Sequence, residues 1–179
     1  MNKLSNYILF FVSAIYFFLI HLFISQLNSS LSQVGFYFFI PSLFLFTPPL
    51  LNKDFSLMLI VLNGFLLDYH CNLPYALNVF LLIWVHLVTQ NGLKLNNLND
   101  LRNGRALLLL INFSFFIFLY LLTHFQTTYL NTWNPSKFFS DLLTSTILLF
   151  FCLRPHLMIL QFLTTRTVLP PSEKTMVKG

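Results

Sequence analysis

Residues that can ligate a metal ion or exchange protons interrupt an apolar stretch of the sequence, NGFLLDYHCNLPYAL at residues 63–77. They are Asp68, His70 and Cys71. A zinc site normally takes closely spaced ligands, as in C-x-x-C or H-E-x-x-H, and this trio follows neither pattern. We therefore expect no metal site here, and no other cofactor.

The same stretch also has the residues of a tight turn. Asn72 and Pro74 favour a short connection, and Tyr69 suits the boundary between a membrane and water. Asp68 would then end an apolar segment by meeting water. Ionisable residues deep in a membrane are functional by default, whereas those at its surface need not be. A structural and a functional interpretation of this stretch both stay open at this point.

Motifs of common enzymes are missing from the sequence. It has no G-x-x-x-x-G-K-[ST] loop for phosphate, no G-x-S-x-G nucleophile turn and no H-E-x-x-H helix. His21 and His86 lie inside apolar segments and His124 at the end of one, where we favour a hydrogen bond to another helix over a ligand site or proton path. The sequence therefore predicts a protein that is not an enzyme.

The composition indicates a membrane protein. Of the 179 residues, 56% are hydrophobic and 8% are charged, and the mean hydropathy is +0.74. An ordinary soluble domain carries about a quarter charged residues, so this chain has too few polar residues to cover a soluble fold. The formal net charge of +5 arises from short basic stretches and needs no nucleic-acid partner to explain it.

Six apolar segments predict an all-α bundle of six transmembrane helices, followed by a disordered cytoplasmic tail at residues 164–179. The predicted spans are residues 7–24, 34–51, 55–69, 75–89, 106–123 and 138–163. The third is the weakest, because its uninterrupted apolar run is short. The last contains Pro155, so it is either one kinked helix or a span that ends at Leu153 and continues along the inner surface.

Basic residues predict the orientation, since Lys and Arg collect in cytoplasmic loops. With six spans and a cytoplasmic N-terminus, most of the basic residues lie on the inner side. Three of them, Lys94, Arg102 and Arg105, belong to a basic loop between the fourth and fifth spans. This loop is expected to attract anionic lipid headgroups or to dock a cytoplasmic partner. Both termini are predicted to be cytoplasmic, in a multi-pass membrane protein.

The stretch at residues 64–77 resembles the motif of the rod shape-determining protein MreD family. Gly64-Phe-Leu-Leu-Asp68 is similar to that family's glycine, three apolar residues and aspartate, and Pro74-Tyr-Ala-Leu77 to the start of its next helix. Pro41 resembles a proline that the family carries in its second span. Chain length, six predicted spans and two cytoplasmic ends are similar as well.

The chain also departs from the family's pattern. Asn72 and Ala76 stand where the family often has glycine, and Ser42 follows Pro41 where it often has a polar or acidic residue. The replacements keep small side chains, which allow two helices to approach closely. The match as a motif is therefore limited to residues 64–77.

The resemblance implies a non-catalytic, multi-pass subunit of the bacterial cell-elongation complex, which lies in the inner membrane and supports peptidoglycan synthesis. Such a protein binds the bitopic membrane protein MreC and other elongation-complex proteins, and its fold is similar to the substrate-binding subunits of energy-coupling-factor transporters. The implied motif or interface residues are Pro41, Gly64, Asp68, Tyr69, His70, Pro74 and Ala76. The alternative is a small-molecule, vitamin-like binding or transport subunit on the same plan, with Asp68, Tyr69 and His70 lining an outward-facing pocket.

Overall fold

The computed structural model describes residues 3–71, 76–89, 101–126 and 135–168, with the backbone alone at residues 3, 71, 89, 101–107, 122–126 and 168. Five α-helices occur in these residues, and no β-strand does. The helices are α1 (Lys3–Ser32), α2 (Lys53–Cys71), α3 (Leu77–Thr89), α4 (Leu101–Gln126) and α5 (Pro135–Val168). The all-α class predicted from the sequence is confirmed.

The second predicted helix, at residues 34–51, is not an α-helix. Residues 36–40 have no regular secondary structure, and Pro41–Leu45 form one short 3₁₀ helix. Pro41, Pro48 and Pro49 lack a backbone N–H and disfavour α-helical geometry in the residue before each of them. The prediction of a helix was therefore wrong for residues 34–51, which we call the return segment.

The last helix is longer than predicted. α5 runs through Pro155 without a break and ends at Val168, so the single-helix alternative is correct and the predicted tail begins too early. Thr164 lies in this extension, where it is buried and its hydroxyl donates a hydrogen bond to the Leu160 carbonyl (2.8 Å) of the same helix. The remainder of the predicted tail, residues 169–179, lies outside the described residues.

Two helices among the described residues are long and apolar enough to cross a membrane. They are Leu4–Ser32 and Pro135–Thr167, whereas Leu77–Val88 and Leu108–Leu121 are shorter apolar helices. Large apolar side chains such as Phe11 and Phe151 are exposed on both long helices. Long apolar helices with exposed aromatic side chains are typical of a membrane protein, in agreement with the composition.

Contacts between α1 and α2 show in which direction the return segment runs. Near the start of both helices, the rings of Tyr7 and Phe55 lie 5.1 Å apart between centroids. Further along, His21 Nε2 lies 3.3 Å from Asn63 Oδ1. The two helices therefore run parallel, and the return segment that joins the end of α1 to the start of α2 runs back antiparallel to both.

A glycine ends α1 and leads the chain into the return segment. The N–H of Gly35 donates to the Ser32 carbonyl and the N–H of Phe36 donates to the Leu31 carbonyl, both at 3.1 Å. This is the bonding pattern of a Schellman motif, which requires a left-handed residue after the helix. Gly35 has φ +87°, a conformation in which a residue with a Cβ would be strained.

The return segment lies in the centre of the protein. Its Phe44 is fully buried, and the ring stacks on that of His21 at 4.0 Å between centroids with an interplanar angle of 4°. Its Phe39 meets Phe116 of α4 edge to face at 5.6 Å. The 3₁₀ helix Pro41–Leu45 packs against α2, α3 and α4, so the helices surround a non-helical core segment.

Side chains of three helices bond the non-helical backbone of residues 37–39. Asn28 of α1 binds both polar groups of Phe38, since its Nδ2 donates to the carbonyl (2.9 Å) and its Oδ1 accepts the N–H (2.7 Å). From α5, Asp141 Oδ1 accepts the N–H of Tyr37 (2.9 Å) and Ser145 Oγ accepts that of Phe39 (3.0 Å). These bonds replace the ones that a helix would make internally.

Asn112 of α4 completes this set of bonds. Its Nδ2 donates to the Phe39 carbonyl (3.4 Å), and its Oδ1 accepts the hydroxyl of Ser42 (3.0 Å). Ser145 Oγ also donates to the carbonyl of Tyr37 (3.4 Å). Every backbone N–H and carbonyl of residues 37–39 thus has a side-chain partner, and the four partners are Asn28, Asn112, Asp141 and Ser145.

Replacing the asparagine of α1 should destabilise the protein. Asn28→Ala leaves the part-buried N–H and carbonyl of Phe38 without these side-chain partners, and each lost bond should cost about 1 kcal/mol. The free energy of unfolding, measured by denaturant titration in detergent, should fall accordingly. Ser30→Ala is the control, because the exposed Ser30 hydroxyl bonds only the Gln26 carbonyl of its own helix (3.1 Å). Equal losses in both variants would contradict this role of Asn28.

Candidate functional site

Gly64 allows α2 and α3 to pack closely. A Cβ at this position would lie 2.6 Å from the Cα of Val79 and 2.8 Å from its backbone nitrogen. Atoms of a side chain do not approach backbone atoms so closely, so any larger residue would force the two helices apart. The close packing of α2 against α3 therefore requires a glycine at position 64, which the sequence alone does not reveal.

Asp68 lies one helical turn after Gly64 and binds the start of α3. Its Oδ1 accepts both the backbone N–H and the side-chain Nδ2 of Asn78, each at 2.9 Å. The first N–H groups of a helix have no partner within it, and a carboxylate at this end is also favoured by the helix dipole. Asp68 is 1% exposed, so it does not meet water as the turn interpretation supposed.

The spacing of these two residues follows from helix geometry. Positions four apart lie on the same face of an α-helix, so Gly64 and Asp68 both face α3. Gly64 lets the backbone of α3 approach, and Asp68 then accepts hydrogen bonds from its first turn. We call the contact of Gly64 and Asp68 with Asn78 and Val79 the α2–α3 junction.

Ala76 adopts a strained conformation next to the junction. Its φ is +72°, in the left-handed region that glycine occupies at little cost and other residues avoid. It immediately precedes α3, and its carbonyl accepts the N–H of Phe80 (3.0 Å). A glycine at this position would adopt the same backbone conformation with less strain.

The two residues after Asp68 point away from the junction. Tyr69 is 71% exposed. His70 is half-buried, and its ring lies 5.8 Å from that of His21 in α1. Asp68 and His70 therefore face different helices, and this separation disfavours their joint use as metal ligands.

No group of three or more His, Cys, Asp or Glu residues that could hold a metal ion is found within the described part of the chain. His21 and His70 do face one small cavity of about 60 Å³, which Ser25 and Asn28 also line. Sites for small organic ligands are typically about 300–1,000 Å³. A space of this size is adequate for water molecules and too small for a vitamin.

The other predicted residues lie away from the junction or outside what the structure describes. Pro41 is buried as the first residue of the 3₁₀ helix. Pro74 and Lys94 lie outside the described residues, and Arg102 and Arg105 belong to the first two turns of α4, where the backbone alone is described. The basic inner loop therefore stays a prediction.

Four polar residues that bond the return segment were not predicted from the sequence. They are Asn28, Asn112, Asp141 and Ser145. Asp141 also accepts a hydrogen bond from the Tyr120 hydroxyl (2.8 Å). Each of these residues stands among apolar residues in the sequence. This isolation could have indicated their role, because a polar residue in an apolar segment usually bonds another part of the bundle.

Enlarging Gly64 should disrupt the junction. Gly64→Val places side-chain atoms where the backbone of Val79 lies, and overpacking of this kind costs about 1–3 kcal/mol or more. The free energy of unfolding in detergent should fall by that amount. The control is Ser114→Val on the exposed face of α4, where a change within about 0.5 kcal/mol is expected. Equal stability of the Gly64→Val variant and the unmodified protein would contradict the close packing.

Comparison with known proteins identifies no family for this chain. No protein-family model, no curated protein and no solved structure matches it. Its function must therefore be inferred from the residues and contacts described above.

Proposed function

We propose that this chain is a non-catalytic, multi-pass membrane subunit that binds a bitopic partner of the MreC kind in the bacterial cell-elongation complex. The observation that carries the proposal is the α2–α3 junction. Gly64 and Asp68, the two fixed residues of the resembled motif, both contact the start of α3. The motif therefore acts as a positioning element for two helices and their connection, which suits a scaffold.

The proposed topology has six crossings with both termini in the cytoplasm. Five crossings are the α-helices and the sixth is the return segment. Non-helical backbone is tolerated at membrane depth where protein surrounds it and satisfies its polar groups. The bonds to residues 37–39 support this for the part of the return segment that contains them. Of the 10 basic residues, eight then lie on the inner side. These eight are Lys3, Lys53, Lys94, Arg102, Arg105, Arg166, Lys174 and Lys178.

A partner would bind beside the junction rather than on Asp68 itself. Asp68 is buried, whereas Tyr69 next to it is exposed. An exposed tyrosine at the end of a helix combines a large apolar area with one hydroxyl, a combination enriched at protein interfaces. By fixing the start of α3, Asp68 fixes the surface that surrounds Tyr69, and this surface is on the outer side in the proposed topology.

A small-molecule binding or transport subunit is the second candidate. The cavity beside His21 and His70 favours it, because polar and aromatic side chains meet there. Its volume of about 60 Å³ argues against a vitamin-sized ligand. The scaffold is therefore the better supported of the two proposals.

No catalytic role is part of the proposal. The acids Asp68 and Asp141 are buried, and each accepts hydrogen bonds from groups that hold the fold together. A general acid or base must instead reach the proton of a substrate. Both acids thus act as structural acceptors, like Asn28 and Asn112.

The proposal predicts a defined partner and its dependence on the junction. Purification from the native membrane in mild detergent should recover a single-span protein with a large outer domain, identified by mass spectrometry. Asp68→Ala removes the acceptor for α3 and should lower this recovery at an equal membrane level of the chain. Asp54→Ala is the matched control, since Asp54 is an exposed acid at the opposite end of the same helix.

Two results would contradict the proposal. One is equal recovery of the partner with Asp68→Ala and with the unmodified chain. The other is recovery of an ATPase module, or of a bound small molecule without the single-span protein, which would favour the transport subunit.

A further inference from the structure

One arginine of α5 lies on a surface that is otherwise apolar. Arg154 is exposed, and it belongs to the part of α5 that is long and apolar enough to cross a membrane. Residues three, four, seven or eleven positions away share its side of the helix. Large apolar residues at four such positions are also exposed, namely Leu143, Ile147, Phe151 and Met158. We call these four residues and Arg154 the Arg154 face.

Other exposed charges collect at one end of the bundle, which is the inner end in the proposed topology. Arg166 lies in the last turn of α5, and Lys53 is the first residue of α2; both are exposed. The end of α5 lies beside the start of α1, because the Ser5 hydroxyl donates to the Thr167 carbonyl (3.4 Å). The start of α2 lies there too, as the ring contact described above shows. This end therefore marks one level for the membrane surface.

Arg154 lies well inside the bundle relative to this level. Twelve residues separate it from Arg166, which is about 18 Å along the helix, whereas the hydrocarbon of a bilayer is about 30 Å thick. His156, two positions after Arg154, lies beside the middle of α1, where its Nδ1 is 2.9 Å from Tyr16 Oη. An arginine side chain spans less than half of the distance to Arg166, so snorkelling does not bring its charge to that end.

Among the described residues, no acid is placed to pair with this arginine. The chain has five Asp and Glu residues. Asp68 and Asp141 are buried and accept hydrogen bonds from backbone N–H groups, and Asp54 lies in the first turn of α2, at the inner end. Asp100 and Glu173 lie outside the described residues. A second copy would present the same acids, so the described part of this chain also offers no exposed acid at this depth to a copy of itself.

We propose that the Arg154 face binds a transmembrane helix of another protein, which carries an aspartate or glutamate about half-way across the membrane. A charged residue at this depth is costly unless an opposite charge meets it. A carboxylate would accept charge-assisted hydrogen bonds from the guanidinium, and their attraction is stronger in hydrocarbon than in water. The apolar residues of the Arg154 face would contact the apolar surface of the same helix.

A lipid headgroup is a less suitable partner for this arginine. Lipid phosphates lie at the surfaces of the bilayer, and the distance to the inner end exceeds the length of the side chain. An acid on a membrane-spanning helix, in contrast, can lie at any depth. The inference rests on the proposed membrane location, but it does not depend on the identity of the elongation-complex partner.

Photo-crosslinking beside Arg154 tests the inference. p-Benzoylphenylalanine takes the place of Phe151, an aromatic residue that is 71% exposed and lies about one turn from Arg154. The chain is irradiated in its native membrane, and mass spectrometry identifies the cross-linked segment. We expect an apolar segment of another protein with an Asp or Glu near its middle.

Two arginine variants show whether the charge at position 154 is required. Arg154→Gln should lower the yield of this cross-link by about tenfold or more at an equal membrane level, because it leaves the partner's acid unpaired. Arg166→Gln is the matched control, since Arg166 is an exposed arginine of the same helix. Its yield should stay within about twofold of the unmodified chain, as expected for a charge at the surface.

Exchange of the two charges separates an ion pair from apolar contact alone. Arg154→Glu should lose the cross-link, and so should replacement of the partner's acid by arginine. The two replacements together should restore it, because the pair is then present in reverse.

Three results would overturn the inference. They are a cross-linked segment without an acid, cross-links to lipid alone, and equal yields from Arg154→Gln and Arg166→Gln. Flotation of the membranes measures the location of the chain separately. The ion pair can therefore fail while the proposed membrane location holds, and the Asp68→Ala experiment tests the proposed elongation-complex partner independently.

Discussion

The fold depends on how the backbone of residues 37–39 is bonded. This part of the chain is non-helical and lies among the helices, so its N–H and carbonyl groups obtain their partners from side chains. Asn28, Asn112, Asp141 and Ser145 supply them from α1, α4 and α5. An unsatisfied backbone group in hydrocarbon costs several kcal/mol. These four polar residues therefore connect three helices to the centre of the protein and fix their relative positions.

The same constraint explains why a chain so poor in charge retains buried acids. Asp141 accepts a hydrogen bond from the backbone of the return segment, and Asp68 accepts one from the backbone at the start of α3. With their acceptor atoms directed at the chain's own N–H groups, these carboxylates stabilise a rigid helical unit whose outer faces are apolar. Such a unit is suited to binding other membrane components by shape and surface, and this is the physical basis for proposing a scaffold over a transporter or an enzyme.

Apolar runs in the sequence predicted four of the five helices closely, because hydrophobic length alone defines them. They did not predict the non-helical return segment, since an apolar run with prolines is compatible with a kinked helix until the neighbouring residues are known. At the site, the sequence indicated Gly64 and Asp68, but not that both face α3. Asn28 and Ser145 were missed because their partners are backbone groups distant in sequence, which no local pattern reveals.

Hydrogen exchange at the amides of Tyr37, Phe38 and Phe39 measures whether side chains protect the backbone of the return segment. Amides outside helices normally exchange quickly unless a stable partner protects them. In a lipid nanodisc, we expect these three amides to exchange as slowly as the helical amides of α1 when measured by mass spectrometry. Asn28→Ala should accelerate exchange at Phe38 first. Rapid exchange of all three in the unmodified protein would contradict the bonded return segment and the scaffold built around it.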